Sequence, residues 1–232
     1  MNTSQTARER ARAVLTSEIK DAARRQLAQS GANGLSLRGV ARELGMVSSA
    51  LYRYFPSRDD LLTALIIDAY RAVGDAAESA DALVERTNLR RRWRDICHAT
   101  RQWALDHPHE YALIYGSPVP GYQAPQDTVA QATRVPLALV GVLRDASAAG
   151  VLTEFGPIVT GLVLAQQTRR LAATIAPELP GPVLSRALVA WSQLFGMISF
   201  ELFGQFVGSV DPADQFFDHA VDLMATFTGL PL

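Results

Sequence analysis

The chain has 232 residues, 48% apolar and 19% charged, with a formal net charge of −1; this is an ordinary globular composition, long enough to bury a full core as one large domain or a small one joined to a larger one. A single cysteine, Cys97, excludes an internal disulfide and suits a reducing compartment. The longest charge-free stretches, such as residues 187–200, fall short of the roughly 20 apolar residues that span a bilayer, and the opening MNTSQTARERARAVL has no apolar signal region, so a cytoplasmic protein without a membrane partner is expected.

Charge is unevenly spread. Residues 1–58 hold ten Lys/Arg (Arg8, Arg10, Arg12, Lys20, Arg24, Arg25, Arg38, Arg42, Arg53, Arg58) against Glu9, Glu18, Asp21 and Glu43, a net of +6, which leaves −7 for the remainder. A basic head on an acidic body fits an anionic partner for the head, with nucleic acid foremost, although a solvated charged helix surface has the same composition.

Ala, Leu, Arg and Glu at three- and four-residue spacing predict helix almost throughout, and no segment shows sustained strand-like alternation. The first helix runs from about residue 13, or earlier, to residue 29, with Ile19, Ala22, Ala23 and Leu27 on one face and Gly31 as its stop. Ahead of it, residues 1–12 with Arg8, Arg10 and Arg12 are either a basic arm for a minor groove or phosphates, or a solvated tail.

The stretch LSLRGVARELGMVSSALYRYFPSRDDLL, residues 35–62, carries three helix starts. Ser36 stands at an N-cap, able to accept from the amide of residue 38 or 39, with Leu35 and Val40 as a hydrophobic staple. This second helix, about residues 37–44, stops at Gly45. A third, about residues 48–55, separates at 100° per residue into an inward set (Val47, Ala50, Leu51, Tyr54, Phe55) and an outward set (Ser48, Ser49, Tyr52, Arg53). Pro56 and Ser57 then end it and cap a fourth helix, which has Asp60 three residues after the cap and runs into the mid-seventies. Two short helices around a glycine turn form a helix-turn-helix. Small Ser48 and Ser49 would let the helix approach base edges, Arg53 could pair with guanine O6 and N7, and tyrosine hydroxyls and helix N-terminal amides suit phosphates. A helical hairpin in an ordinary bundle, with Tyr52 and Tyr54 as core-edge aromatics, is the alternative.

Further helices are predicted at about residues 88–106, 108–115, 126–149, 157–175, 182–207 and 212–228. GSPVPGYQAPQ at residues 116–126 is the clearest long loop, with shorter breaks at 150–157, 177–182 and 208–212. Near the end, Leu184, Leu188, Trp191, Phe195, Ile198 and Leu202 form one apolar stripe, Ala187, Ala190, Leu194 and Met197 a second, and the last helix adds Phe216, Phe217, Ala220, Val221, Met224 and Phe227. A helix apolar on two sides needs its own core and another surface, either a partner or a larger monomer core. Cys97, His98, His107 and His109 match no compact zinc spacing, and no P-loop, GxSxG or HExxH pattern is present, so no metal, cofactor or enzymatic activity is expected.

Residues 35–65, with Leu51-Tyr52-x-Tyr54-Phe55, Pro56-Ser57-Arg58 and Leu61-Leu62, resemble the DNA-binding domain of TetR-type transcriptional regulators, a likeness covering about residues 13–66. The resemblance implies a three-helix DNA-binding domain at residues 1–57 and a helical effector-binding and dimerisation domain at 58–232. It implies phosphate contacts from Ser36, Tyr52, Tyr54 and Arg58, and base reading by the exposed face of the third helix. The candidate DNA contacts are Ser36, Arg38, Ser48, Ser49, Tyr52, Arg53, Tyr54 and Arg58. Val47 stands where the family often has a capping serine, and Ser48 and Ala50 where it often has lysine and threonine, which leaves Arg53 as the main long donor. The stretches HPHEYALIYGSPVPGY and AWSQLFGMISFELFGQF resemble the family's Trp-His-Gly type of C-terminal domain, with Trp191 and Gly196 matching and Phe195 in the place of the histidine.

By the same resemblance the last two long helices pair two copies, through Leu184, Leu188, Trp191, Phe195, Ile198, Leu202, Phe217, Val221 and Met224. A small effector occupies the body, with Trp93, Trp103, Tyr111, Tyr115, Tyr122, Gln166 and Arg169 as candidate lining. The expectation is a homodimeric repressor on a palindromic double-stranded DNA operator, released by a small molecule. The alternatives are an enzyme or ligand carrier whose helix-turn-helix is scaffold, and a DNA-binding activator without an inducer.

Overall fold

Apolar residues spaced for helices, punctuated by glycine and proline, produce helices alone among the described residues. The computed structural model describes residues 7–153 and 161–232. Its helices are α1 (Ala7–Ser30), α2 (Leu37–Glu43), α3 (Ser48–Leu51), α4 (Arg58–Ala82), α5 (Leu89–Asp106), α6 (Pro108–Tyr115), α7 (Val129–Ala132), α8 (Arg134–Ala148), α9 (Leu162–Ile175), α10 (Gly181–Leu202) and α11 (Ala213–Thr228), with 3-10 turns at Ala32–Gly34 and Gln126–Thr128. The expected all-α class is what the chain adopts.

Several boundaries differ from the sequence reading. The predicted helix at 126–149 breaks at Thr133, because Pro136 lacks the amide that would bond to Ala132; restarting at Arg134 puts that proline in the first turn of α8, where the amide is not needed. The helix predicted to run to 207 ends at Leu202, two residues before Gly204 with its φ of +78°. Residues 8–12, expected ahead of the first helix as a basic arm or a solvated tail, belong to α1, which is helical from Ala7. The α4 helix continues past the mid-seventies to Ala82. Residues 157–160 of the predicted 157–175 helix lie outside the described residues.

The chain falls into two compact units, one comprising residues up to Tyr70 with His107–Val129, the other Arg71–Asp106 with Ala130–Leu232. The unit that holds the helix-turn-helix is therefore larger than residues 1–57. Its core is Ile19, Ala22, Ala23 and Leu27 of α1, Leu37, Val40 and Ala41 of α2, Leu51 and Phe55, and Leu61, Leu62, Leu65 and Ile66 of α4; Leu113, Ile114, Val119 and Tyr122 pack against it. Polar links bind the inserted segment to the same unit: Arg24 Nε donates to Glu110 at 3.0 Å, the Tyr122 and Thr63 hydroxyls are 2.9 Å apart, and the Tyr70 hydroxyl donates to the Ile114 carbonyl at 3.3 Å.

In the second unit α5 packs on α8, and α10 on α11 and α9. Trp93, Ile96 and Cys97 of α5, Val142 and Leu143 of α8, Leu184, Leu194 and Ile198 of α10, and Val221 and Met224 of α11 are all buried. The guanidinium of Arg92 is fully enclosed, pairing with both oxygens of Asp81 at 2.7 and 3.1 Å and with Asp145 at 2.6 Å. By length and apolarity α10 could cross a membrane, which the charge-free run alone had excluded; 44% of its apolar window is buried in the protein, and Glu201 near its end pairs with Arg101 of α5 at 2.5 Å.

Candidate nucleic-acid interface

The reading element is built by three local devices. Ser36 caps α2, accepting from the Gly39 amide at 3.3 Å, while its own amide donates to the Gln26 side-chain oxygen of α1 at 3.2 Å. Gly45 ends α2 at φ +65°; its amide bonds to Arg42 and that of Met46 to Ala41, two bonds that satisfy carbonyls the helix end would leave open. Ser57 then caps α4 in both directions, its hydroxyl donating to Asp60 at 2.7 Å and accepting from the Asp60 amide at 3.1 Å. Gln26 was not foreseen, because a glutamine inside a helix carries no capping signal for another helix.

The α3 segment lies between these fixed ends. After Leu51 it tightens, with Arg53 and Tyr54 donating to carbonyls three residues back, so the regular helix is shorter than the predicted 48–55. Its inward side is as expected for Leu51 and Phe55, which are buried, and for Ala50 and Tyr54, which are half-buried. Val47 departs from the expectation: it is 70% exposed, because the N-cap residue stands outside the helix, and it neither caps α3 nor anchors it by packing. Ser48, Ser49, Tyr52 and Arg53 are all exposed on the outer side.

The head's positive charges sort into two populations. Lys20 pairs with Asp68 at 2.6 Å, Arg24 with Asp21, Asp68 and Glu110 at 2.6, 2.9 and 3.0 Å, and Arg25 with Glu43 at 2.6 Å. Arg38, Arg42 and Arg53 are exposed and make no ion pair among the described residues. Arg58 belongs with the paired set, since its Nε and Nη2 donate to the carbonyls of Leu35 and Ala32 at 3.1 and 2.7 Å and tie the start of α4 to the approach of α2. Ser36, Arg38, Tyr52 and Arg58 line one surface depression of about 470 Å³ with Ser57 and Pro56. Tyr54 is set apart from it, its ring covered by the Arg12 guanidinium at 5.2 Å.

The candidate effector residues do not share one unit. Tyr111, Tyr115 and Tyr122 belong to the first, where Tyr115 stands edge-on to Tyr70 at 5.8 Å and burial pushes the Tyr115 phenol well above its usual range. Trp93 and Trp103 are buried in the second unit, and Gln166 and Arg169 are exposed on α9. The Trp93 indole N–H is buried with no acceptor among the described residues.

The residues expected at a dimer contact divide by exposure. Leu184, Phe195, Ile198, Phe217, Val221 and Met224 are buried within the protomer, and Leu188, Trp191 and Leu202 are half-buried. Exposed apolar side chains on α10 and α11 include Val189, Phe200, Phe216, Leu223 and Phe227, between 37% and 54% exposed, and Val207 in the turn after α10 is 86% exposed; the Phe200 and Phe216 rings each stand edge-on to Phe206. Among the described residues no cluster of His, Cys, Asp and Glu could hold a metal ion; burial raises the Cys97 thiol far above its usual range, and His98 meets Asp218 at 3.0 Å.

Residues 19–65 match the family model described as bacterial regulatory proteins, tetR family, and residues 93–224 match a tetracyclin repressor-like C-terminal domain. Two curated relatives are the HTH-type transcriptional regulators Mb1846 of Mycobacterium bovis and Rv1816 of Mycobacterium tuberculosis. Each is 44% identical over 206 residues, which cover 84% of this chain and 84% of the relative. A solved structure of a protein assigned a regulatory role, SCO4313, superposes with a TM-score of 0.75 at 38% identity, covering 95% of this chain and 100% of that one. The TetR family regulator PfmR of Thermus thermophilus shares the fold at a TM-score of 0.58 and 19% identity, over 92% of this chain and 99% of its own. Neither family description carries the Trp-His-Gly designation; at its histidine position the Phe195 ring stands edge-on to Trp191, 6.4 Å away. A helix-turn-helix with its polar face open, and this likeness along most of the sequence, make the chain a member of the TetR family of DNA-binding transcriptional regulators.

Proposed function

We propose that the chain is a cytoplasmic homodimeric repressor that binds a two-fold operator and leaves it when a small molecule occupies the body. The observation that carries the reading is the division of α3, with Leu51 and Phe55 buried beneath and Ser48, Ser49, Tyr52 and Arg53 open above, beside unpaired Arg38 and Arg42. In this account Ser48 and Ser49 allow close approach in the major groove and Arg53 reads a guanine. Ser36, Arg38 and Tyr52 hold phosphates, which set register. Arg58 acts as a strut through its two carbonyl bonds rather than as a phosphate ligand.

One such module covers a single half-site, and two half-sites about 34–36 Å apart require two copies. The exposed apolar side chains of Val189, Phe200, Phe216, Leu223 and Phe227 support that pairing better than the buried stripes of α10. The buried Trp93 N–H supports a ligand in the second unit, because a donor closed off from water is disfavoured by about 1–3 kcal/mol until something accepts from it.

Enrichment of duplex from a random-sequence library, followed by titration at several salt concentrations, tests the reading. An inverted repeat whose affinity falls as salt rises is expected, and Arg53→Ala should cost about 1–3 kcal/mol and relax selectivity at one base pair per half-site. Absence of duplex binding at low salt would favour the carrier or enzyme with a scaffold helix-turn-helix.

A further inference from the structure

The first helix extends beyond the unit it belongs to. Residues 7–14 are all exposed, and Ile19 is the first buried side chain of α1. At 1.5 Å per residue the uncovered turns span about 12 Å. Their charge is mostly positive: Arg8, Arg10 and Arg12 outnumber Glu9, the one acidic residue of the first turn, and Arg8 and Arg12 are like charges four residues apart.

The arrangement of those arginines is specific. At 100° per residue Arg8, Arg12, Leu15 and Ile19 fall on one face and Arg10 on the opposite one. Along that face Ile19 is buried, Leu15 packs against the core, and the Arg12 guanidinium lies 5.2 Å from the centre of the Tyr54 ring. Tyr54 directly follows Arg53, in the segment whose outer side is Ser48, Ser49, Tyr52 and Arg53. Arg8 is one helical turn further out on the same line, and it makes no ion pair among the described residues.

We propose that these uncovered turns of α1 are a second DNA-contact element, in which Arg8 and Arg12 bind backbone phosphates of duplex flanking the half-site. The proposal rests on the reading of the head as a DNA-binding unit. The Arg12–Tyr54 stack puts this face beside the segment that follows α3, and its positive charge selects duplex DNA as the occupant. Phosphate contacts add affinity without adding sequence preference, so the footprint exceeds the bases that are read. Arg10, on the far side, takes no part.

The probe is the duplex that the intact protein enriches from a random-sequence library, made in two lengths: trimmed to the bases the enrichment specifies, and extended at each end by one helical turn, about 10 base pairs. Each lost phosphate contact lowers the slope of log affinity against log salt by about 1 and weakens binding up to about tenfold at 0.1 M salt, and a complex of two copies loses one such contact from each, a slope change of about 2. Arg8→Ala, which removes a side chain with no ion partner among the described residues, should show this loss on the extended duplex and match the parent on the trimmed one. Arg10→Ala should match the parent on both. Equal binding by the parent and Arg8→Ala on the extended duplex, or an equal loss on both lengths, overturns the proposal while the DNA-binding reading stands. Failure of the parent to enrich or bind any duplex overturns both.

Discussion

At the scale of single residues, Gly45 carries most of the burden of the helix-turn-helix. Its φ of +65° lies in the region that an L side chain occupies only under strain, and a Cβ there would meet nothing within 4 Å. Gly45→Ala should therefore cost about 1–2 kcal/mol through backbone conformation alone, read as a lower urea midpoint with an unchanged slope. Ser36, Gly45 and Ser57 were legible in the sequence because caps and left-handed turns are decided within four residues of chain. Val47 was misread because helix projection assumes that the N-cap position already follows the helix. Cys97 gives a second residue-scale test: a buried thiol held far above its usual range should resist a thiol reagent at pH 8 in the native protein and react fully in denaturant.

At the scale of elements, the sequence disclosed where helices lie far better than what each one faces. The paired stripes on α10 show why. Periodicity identifies apolar faces, yet it does not say whether a neighbouring helix of the same protomer or a second copy covers them. Leu184 and Ile198 of one stripe and Leu194 and Met197 of the other are buried within the protomer, while uncovered Val189 and Phe200 belong to neither stripe. Likewise, no local signal assigned residues 107–129 to the head, since the Arg24–Glu110 and Thr63–Tyr122 contacts join positions far apart in sequence. Between elements, Arg92 is the strongest joint of the second unit, a fully enclosed guanidinium held by Asp81 at the end of α4 and by Asp145 of α8. Arg92→Ala removes the enclosed guanidinium and leaves Asp81 and Asp145 only the exposed Arg86, at 3.3 and 2.6 Å, as their cation; it should destabilise the fold by about 3 kcal/mol, measured by chemical denaturation.

At the scale of the whole molecule, residues 1–58 carry a net +6 and the remainder −7. Counting charges could not tell the paired cations of the head from the rest; two of the partner carboxylates, Asp68 and Glu110, lie outside residues 1–58. If Val189 and Leu223 lie in the contact between copies, Val189→Glu with Leu223→Glu should give a monomer by sedimentation equilibrium, with unchanged helical content and weaker operator binding. A dimer of unaltered stability would place the contact elsewhere. The central claim, that α3 presents its outer side to duplex DNA, is tested most directly by amide hydrogen exchange of the intact protein with and without its enriched duplex. The account predicts slower exchange at residues 36–38 and 48–54 on binding; unchanged exchange in both segments at saturating duplex would contradict it.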